Sequence, residues 1–290
     1  MAEISARAVS ELREKTGAGM MDCKRALADA GGDAEKAVDL LRERGLAKAV
    51  KRGGRATSEG AIGVAGSGRA AGIVEVGCET DFVAKTEEFQ RLVEMLARAV
   101  AAAETGSPDA LLDAESGGRK LRDHVQEAIA KLGENIVVKR VQRLALSGPG
   151  EVGGYVHAGG KLGVIVGVCT AAPSTGAAAL VKDLAMHIAA ADPTPVAVTR
   201  ESVAKPLVDK ERDLLRRQAE QSGKPPQVVE KMVEGRLNKF FAEVVLLEQP
   251  FVKDPDKSVK QLLQEAAARW GQEVAVEDFV RFKLGETTGS

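Results

Sequence analysis

Ala71-Gly72-Ile73-Val74-Glu75-Val76-Gly77-Cys78 and, further along the chain, Leu162-Gly163-Val164-Ile165-Val166-Gly167-Val168-Cys169 are two versions of one apolar segment. Each is short and rich in Val and Ile, the pattern of a buried strand. With Ala71 set against Leu162, Phe89, Val93 and Ala97 fall against Leu180, Leu184 and Ile188, four-residue steps that line one face of a helix. A strand and helix stated twice predict two related sheet-plus-helix halves. Strands and helices do not strictly alternate, so the fold class is α+β instead of a doubly wound sheet.

Around the first segment, Ile62 and Val64 alternate with small residues from Ala61, and Gly66-Ser67-Gly68 supplies a turn into the second strand. Thr86 can cap a helix with an apolar stripe of Phe89, Leu92, Val93, Leu96 and Val100, which Pro108 interrupts. Leu121, Val125, Ile129 and Leu132 mark another helix ending at Gly133, and Ile136 to Leu146 reads as a strand. Gly148-Pro149-Gly150 separates a first core half, 61–147, from a second, 148–290. The second half carries an insert. Two charged helical stretches over 206–248 flank Ser222-Gly223-Lys224-Pro225-Pro226, predicting a helical hairpin. Ser258 can cap a last helix through Val259, Leu262 and Leu263, and Phe279 to Leu284 alternates as a final strand.

Ahead of the core, residues 1–50 read as a three-helix unit. Ser5 caps the first helix, which carries Val9 and Leu12 and stops at Thr16-Gly17; the second runs from Asp22 to Ala30; Asp33 caps the third, which buries Ala37, Val38 and Leu41 and ends at Gly45. Residues 51–60, beginning Lys51-Arg52-Gly53-Gly54-Arg55, are expected to form a flexible basic linker.

The 290 residues suffice for two or three domain-sized units, and 44% apolar residues allow a sizeable core. Only 3% are aromatic, so that core rests on Ala, Val, Leu and Ile. The 41 basic and 42 acidic residues leave a net charge of −1, without the basic excess by which nucleic-acid binders neutralise phosphates, so the expected partner is a protein. Three scattered cysteines without a CxxC argue against a disulfide framework or a zinc site. The N-terminal MAEISARAVSELREK lacks an apolar signal core, and no apolar run approaches the roughly 18 to 20 residues of a membrane span, so the expected location is cytoplasmic.

Enzyme signatures are missing. Gly66-Ser67-Gly68 lacks GxGxxG spacing, and Gly160-Lys161 is followed by Leu162 where a Walker loop needs Ser or Thr. His124, His157 and His187 show no metal-ligand spacing, and Cys78 ends an apolar strand where buried thiols are common. No cofactor, metal or catalytic residue is expected. Glu79-Thr80-Asp81-Phe82-Val83 stands apart, because an aromatic beside a carboxylate lies between a strand end and a helix start, where loops carry small polar residues. Two readings stay open: Phe82 plugs the local core while Asp81 caps the helix, or both serve function. The other half has Thr170-Ala171-Ala172-Pro173 there, with neither feature.

Leu12-Arg13-Glu14-Lys15-Thr16-Gly17-Ala18-Gly19-Met20-Met21-Asp22-Cys23-Lys24-Arg25-Ala26-Leu27 resembles the N-terminal signature of the elongation factor Ts family. Glu75-Val76-Gly77-Cys78-Glu79-Thr80-Asp81-Phe82-Val83-Ala84-Lys85 resembles its second signature. Leu132-Gly133-Glu134-Asn135-Ile136, Met186-His187-Ile188-Ala189-Ala190, Met232-Val233-Glu234-Gly235-Arg236 and Phe279-Val280-Arg281-Phe282 follow in the family's order. The resemblance implies a ubiquitin-associated-like N-terminal unit, a two-part core with a coiled-coil hairpin, and a guanine nucleotide exchange factor for elongation factor Tu, in a possible 2:2 assembly. It implies that Thr80, Asp81, Phe82 and Val83 intrude beside the partner's Mg²⁺ site. Leu132, Gly133 and His157 match positions near the phosphate loop, and Leu12, Met20 and Met21 match the docking face of the N-terminal unit, although Leu12 also suits that unit's core. Some members carry a further helical module, whose contacts a chain running to Ser290 is expected to lack. The competing readings are an enzyme using Cys78 or Asp81 and a ribosome- or RNA-associated adaptor.

Overall fold

A computed structural model describes residues 4–16, 18–103 and 106–286. Three helices open the chain: α1 (Ala6–Thr16), α2 (Met20–Asp29) and α3 (Ala34–Arg52). Ser5 Oγ accepts the Ala8 N–H at 3.2 Å, and Asp33 Oδ1 accepts those of Glu35 and Lys36, so short polar side chains satisfy the first free amides of α1 and α3. Val9, Leu12, Cys23, Ala26, Leu27 and Ala37 form a small common core. The expected stop of α1 at Gly17 lies outside the described residues.

Gly45 does not end α3; the helix continues to Arg52. A Cβ on Gly45 would stand 2.8 Å from Ala130 Cβ, so this glycine lets α3 pack closely against a core helix. Arg52 Nη1 adds a 2.9 Å hydrogen bond to Ile129 O. The basic run expected as a linker therefore begins inside a docked helix, and only the residues between Arg52 and Glu59 connect it to the first strand.

The first half comprises β1 (Glu59–Ser67), β2 (Ala70–Cys78), the one-turn α4 (Asp81–Ala84), α5 (Glu87–Ala102), α6 (Pro108–Asp113), the small strands β3 (Glu115–Ser116) and β4 (Arg119–Lys120), α7 (Leu121–Leu132) and β5 (Val137–Ala145). Pro108 starts α6, with Ser107 as its cap. The second half comprises β6 (Gly150–Val156), β7 (Leu162–Thr170), α8 (Ala177–Ala190), the hairpin α9 (Lys205–Glu220) and α10 (Pro226–Val244), the small strands β8 (Pro250–Phe251) and β9 (Asp254–Ser258), α11 (Val259–Trp270) and β10 (Val274–Lys283). Each half builds one antiparallel sheet, ordered β1-β2-β5 and β6-β7-β10.

The sheets lie face to face. Ile62, Ala71, Ile73, Leu144, Val152, Ile165, Val280 and Phe282 fill the space between them. The outer face of the first sheet is covered by α5 and α7, and that of the second by α8 and α11. β2 and β7 are thus buried on both faces, which explains their continuous apolar runs.

The internal repeat is real, but its strand register is one residue off the sequence match. Ile73 and Ile165 both face the opposing sheet, and Val74 and Val166 both face helices, whereas the sequence set Ile73 against Val164. A one-residue slip exchanges the two faces of a strand, so only the packing can settle the pairing. Two glycines confirm it: a Cβ on Gly60 (φ 145°) would meet Val76 O, and one on Gly150 (φ 152°) would meet Val168 O. On the helices, the match of Phe89, Val93 and Ala97 with Leu180, Leu184 and Ile188 holds, because all six are buried.

Candidate functional site

At the end of β2 the chain leaves the sheet and turns once as α4 before α5 begins. Thr80 caps that turn by accepting the Val83 N–H, and Thr86 caps α5 by accepting the Phe89 N–H. The cap is therefore Thr80, and Asp81 faces outward to Lys85 Nζ at 2.7 Å. The hydrogen bond from Lys85, with the charges of Lys85 and Lys161, holds the Asp81 carboxyl below its ordinary range, so it stays anionic. Phe82 does not plug the core: it is 80% exposed. Val83 is half-buried against the first-half core and Ala84 is buried, so one side of the turn is anchored and the other presents the aromatic.

The segment after α7 grips this turn. Gly133 adopts φ 81°, a left-handed conformation that ends the helix and turns the chain back. Glu134 Oε2 then accepts the N–H groups of Glu79 and Thr80, each at 3.0 Å, while Oε1 accepts the Thr80 hydroxyl at 2.5 Å. In return, Glu79 Oε1 accepts the Asn135 N–H at 2.7 Å and lies 3.4 Å from Arg55 Nη1. Buried Asn135 donates its side-chain amide to Arg55 O. Each of the two carboxylates thus holds backbone of the other's segment, Glu134 at Glu79 and Thr80 and Glu79 at Asn135. Glu134 carried no assigned role in the sequence reading, and no local pattern joins it to Thr80, which lies far away in the chain.

The turn between β6 and β7 approaches the same edge. Gly160 O accepts the Ile62 N–H at 2.7 Å, and Lys161 pairs with Glu59 at 2.8 Å while acting on Asp81. His157 is exposed on this turn, its Nδ1 3.1 Å from Tyr155 Oη. Thr80 to Val83 and Gly133 therefore share one edge of the core, which the β6–β7 turn reaches through Gly160 and Lys161. His157 instead lies beside Tyr155, Met186, Ala189 and Val252 of the second half, and Leu132 is half-buried and packs inward. Met20 and Met21 are 57% and 63% exposed on the N-terminal unit. Leu12 departs from the docking expectation: at 2% exposed it belongs to that unit's core and offers no surface to a partner.

Cys78 is fully buried, and burial together with the nearby Glu134 charge pushes its thiol up to about 11, which leaves little thiolate at neutral pH. Its Sγ donates to Thr80 O at 3.2 Å, a structural use. Among the described residues no group of His, Cys, Asp and Glu could hold a metal ion, and no helix is long and apolar enough to cross a membrane.

Among the described residues the most exposed large apolar side chain therefore stands on a braced turn, an arrangement suited to pressing into another macromolecule. The profile of the family described as Elongation factor TS matches residues 79–286. Elongation factor Ts of Parvibaculum lavamentivorans is 46% identical over 293 residues, covering 99% of this chain and 94% of that protein. That of Symbiobacterium thermophilum is 46% identical over 292 residues, with 99% and 93% covered, and that of Nitratiruptor sp. 44% over 287, with 98% and 93% covered. These matches place the chain among the translation elongation factors of protein biosynthesis. It belongs to the elongation factor Ts family.

Proposed function

We propose that this chain is a guanine nucleotide exchange factor for elongation factor Tu, releasing GDP by binding and without a chemical step of its own. The observation that carries this reading is Phe82, 80% exposed on a turn whose backbone is held from behind. A GTPase retains GDP partly through a Mg²⁺ ion that demands near-ideal octahedral oxygen ligation. A protein that binds better when that ligation is spoiled weakens nucleotide binding by the same factor by which nucleotide weakens its own. Burial of one Phe side chain yields about 1.5 to 3 kcal/mol, enough for one or two decades of that coupling. Asp81, anionic and beside Phe82, supplies a charge that competes for the ion's water shell. Gly133 beside the turn, exposed His157 on the β6–β7 turn, and Met20 and Met21 on the N-terminal unit supply further contact.

The test is to load elongation factor Tu with a fluorescent GDP analogue and follow release by stopped flow with and without this chain. Acceleration that rises with its concentration and saturates is the expected result. A release rate indifferent to the chain overturns the reading.

A further inference from the structure

Phe82 has little packing of its own to aim it, and α4 is a single turn, too short to hold its shape alone. Val83 and Ala84 anchor the far side of the turn, and its near end depends on what fixes the backbone at Glu79 and Thr80. These two amides lie just past the last β2 pairing, where the sheet no longer supplies acceptors. Glu134 supplies them. Its carboxylate takes both N–H groups and the Thr80 hydroxyl, and that same hydroxyl caps α4. An ionised carboxylate is an acceptor only, so successive amides pointing one way suit it better than they suit any neutral side chain.

The second half contains the control. Gln272 follows Gly271, the left-handed residue that ends α11, just as Glu134 follows Gly133 at the end of α7. Gln272 reaches the corresponding joint, where Oε1 accepts the Ala172 N–H at 2.7 Å and Nε2 donates to Ala172 O at 3.1 Å. The equivalence extends to the strand end, where Cys78 Sγ donates to Thr80 O and Thr170 Oγ1 donates to Ala172 O. A brace after the second covering helix is therefore common to both halves. Only the brace beside the exposed aromatic is a carboxylate.

We propose that Glu134 is a positioning residue that aims Phe82 at the partner by clamping the amides of Glu79 and Thr80; this rests on the exchange reading above. Glu134 belongs to the segment that follows α7, and α3 packs on α7 through Gly45, so the clamp also ties the aim of Phe82 to the seat of the N-terminal unit. Arg55, just beyond α3, joins the same network through Glu79 and Asn135.

The experiment is a double-mutant cycle on nucleotide release from elongation factor Tu, with Glu134→Ala made alone and together with Phe82→Ala, and Gln272→Ala as comparison. Misplacement of a contacting group costs up to about a hundredfold, so Glu134→Ala alone is expected to slow release by about tenfold or more. In the Phe82→Ala background it is expected to change release by less than about twofold, and Gln272→Ala by itself is expected to leave the rate at wild type. Amide hydrogen exchange of the free protein reads the clamp without the partner: exchange at Glu79 and Thr80 is expected to rise about tenfold in Glu134→Ala. Equal losses in both backgrounds, an equal loss in Gln272→Ala, or unchanged exchange at those amides overturns the inference. Wild-type protein that releases no nucleotide sinks the exchange reading instead, and the amide measurement still judges the clamp. If circular dichroism shows Glu134→Ala unfolded, Thr80→Val, which removes the shared hydroxyl, carries the same cycle.

Discussion

Where the central strand hands over to the covering helix, the two halves of the core meet the same geometric demand with different side chains. In the first, Glu134 accepts the Thr80 amide, and two residues later Phe82 stands in solvent. In the second, Gln272 accepts the Ala172 amide, and two residues later Ser174 receives a hydrogen bond from the same glutamine. The side-chain amide of Gln272 matches the N–H and the C=O of one residue, Ala172, acceptor to donor and donor to acceptor. The carboxylate of Glu134 matches two amides and a hydroxyl, the donor set of a chain turning into a helix. The layers, sheet order and capping glycines are common property; the exposed aromatic belongs to one copy. On the exchange reading, activity rests on a few residues of a scaffold whose other copy lacks them.

The largest effect should come from erasing that difference. Phe82→Ala is expected to slow nucleotide release about tenfold or more, about 1.4 kcal/mol per decade, with an unchanged circular dichroism spectrum. Ser174→Phe, which places an aromatic at the counterpart position, is expected to add nothing to the rate; stopped-flow traces on both variants decide whether the halves are interchangeable. A smaller effect concerns the N-terminal unit, which packs on α7 of the first half. Replacing Met20 and Met21 together by Ala is expected to weaken complex formation by about three- to tenfold, since truncation of peripheral contact residues rarely costs more. Calorimetry giving an undiminished affinity would remove that unit from the interface.

The smallest effect is one of stability. His187 in α8 stands where α5 has Leu96, and both are fully buried. His187 Nδ1 accepts the Val252 N–H at 3.2 Å, and its Nε2 meets Gln249 Oε1 at 3.1 Å, so the ring is the neutral Nε2–H tautomer. Burial lowers its pKa from the ordinary 6.5. The unfolded chain therefore takes up a proton before the folded one does. The contribution is complete above pH 6.5 and is lost as pH falls toward the folded value, with a slope of at most about 1.4 kcal/mol per pH unit. Urea midpoints measured from pH 7.5 down should show this slope in the wild type, and His187→Leu, copying the first half, should remove it.

Local physics was legible from the start. Ser5, Asp33, Thr86 and Ser258 were recognisable as caps because a cap bonds amides two or three residues away. The apolar stripes on α5 and α8 and the hairpin turn at Ser222 to Pro226 were equally plain. Gly45 was misread because a glycine needed for close helix contact and one that ends a helix are the same letter. Leu12 was ambiguous for a similar reason: an apolar residue on a small unit suits a core or an interface, and only packing separates them.

By itself the sequence determined the α+β class, the repeated strand and helix, and the odd placement of Phe82, since periodicity and short-range hydrogen bonding are written within a few residues. Tertiary structure alone decided which face each central strand turns inward, that α3 is seated on α7, and that Glu134 reaches across to hold Thr80. Those facts depend on contacts between segments far apart in the chain, and such contacts leave no spacing to read until the layers have closed on one another.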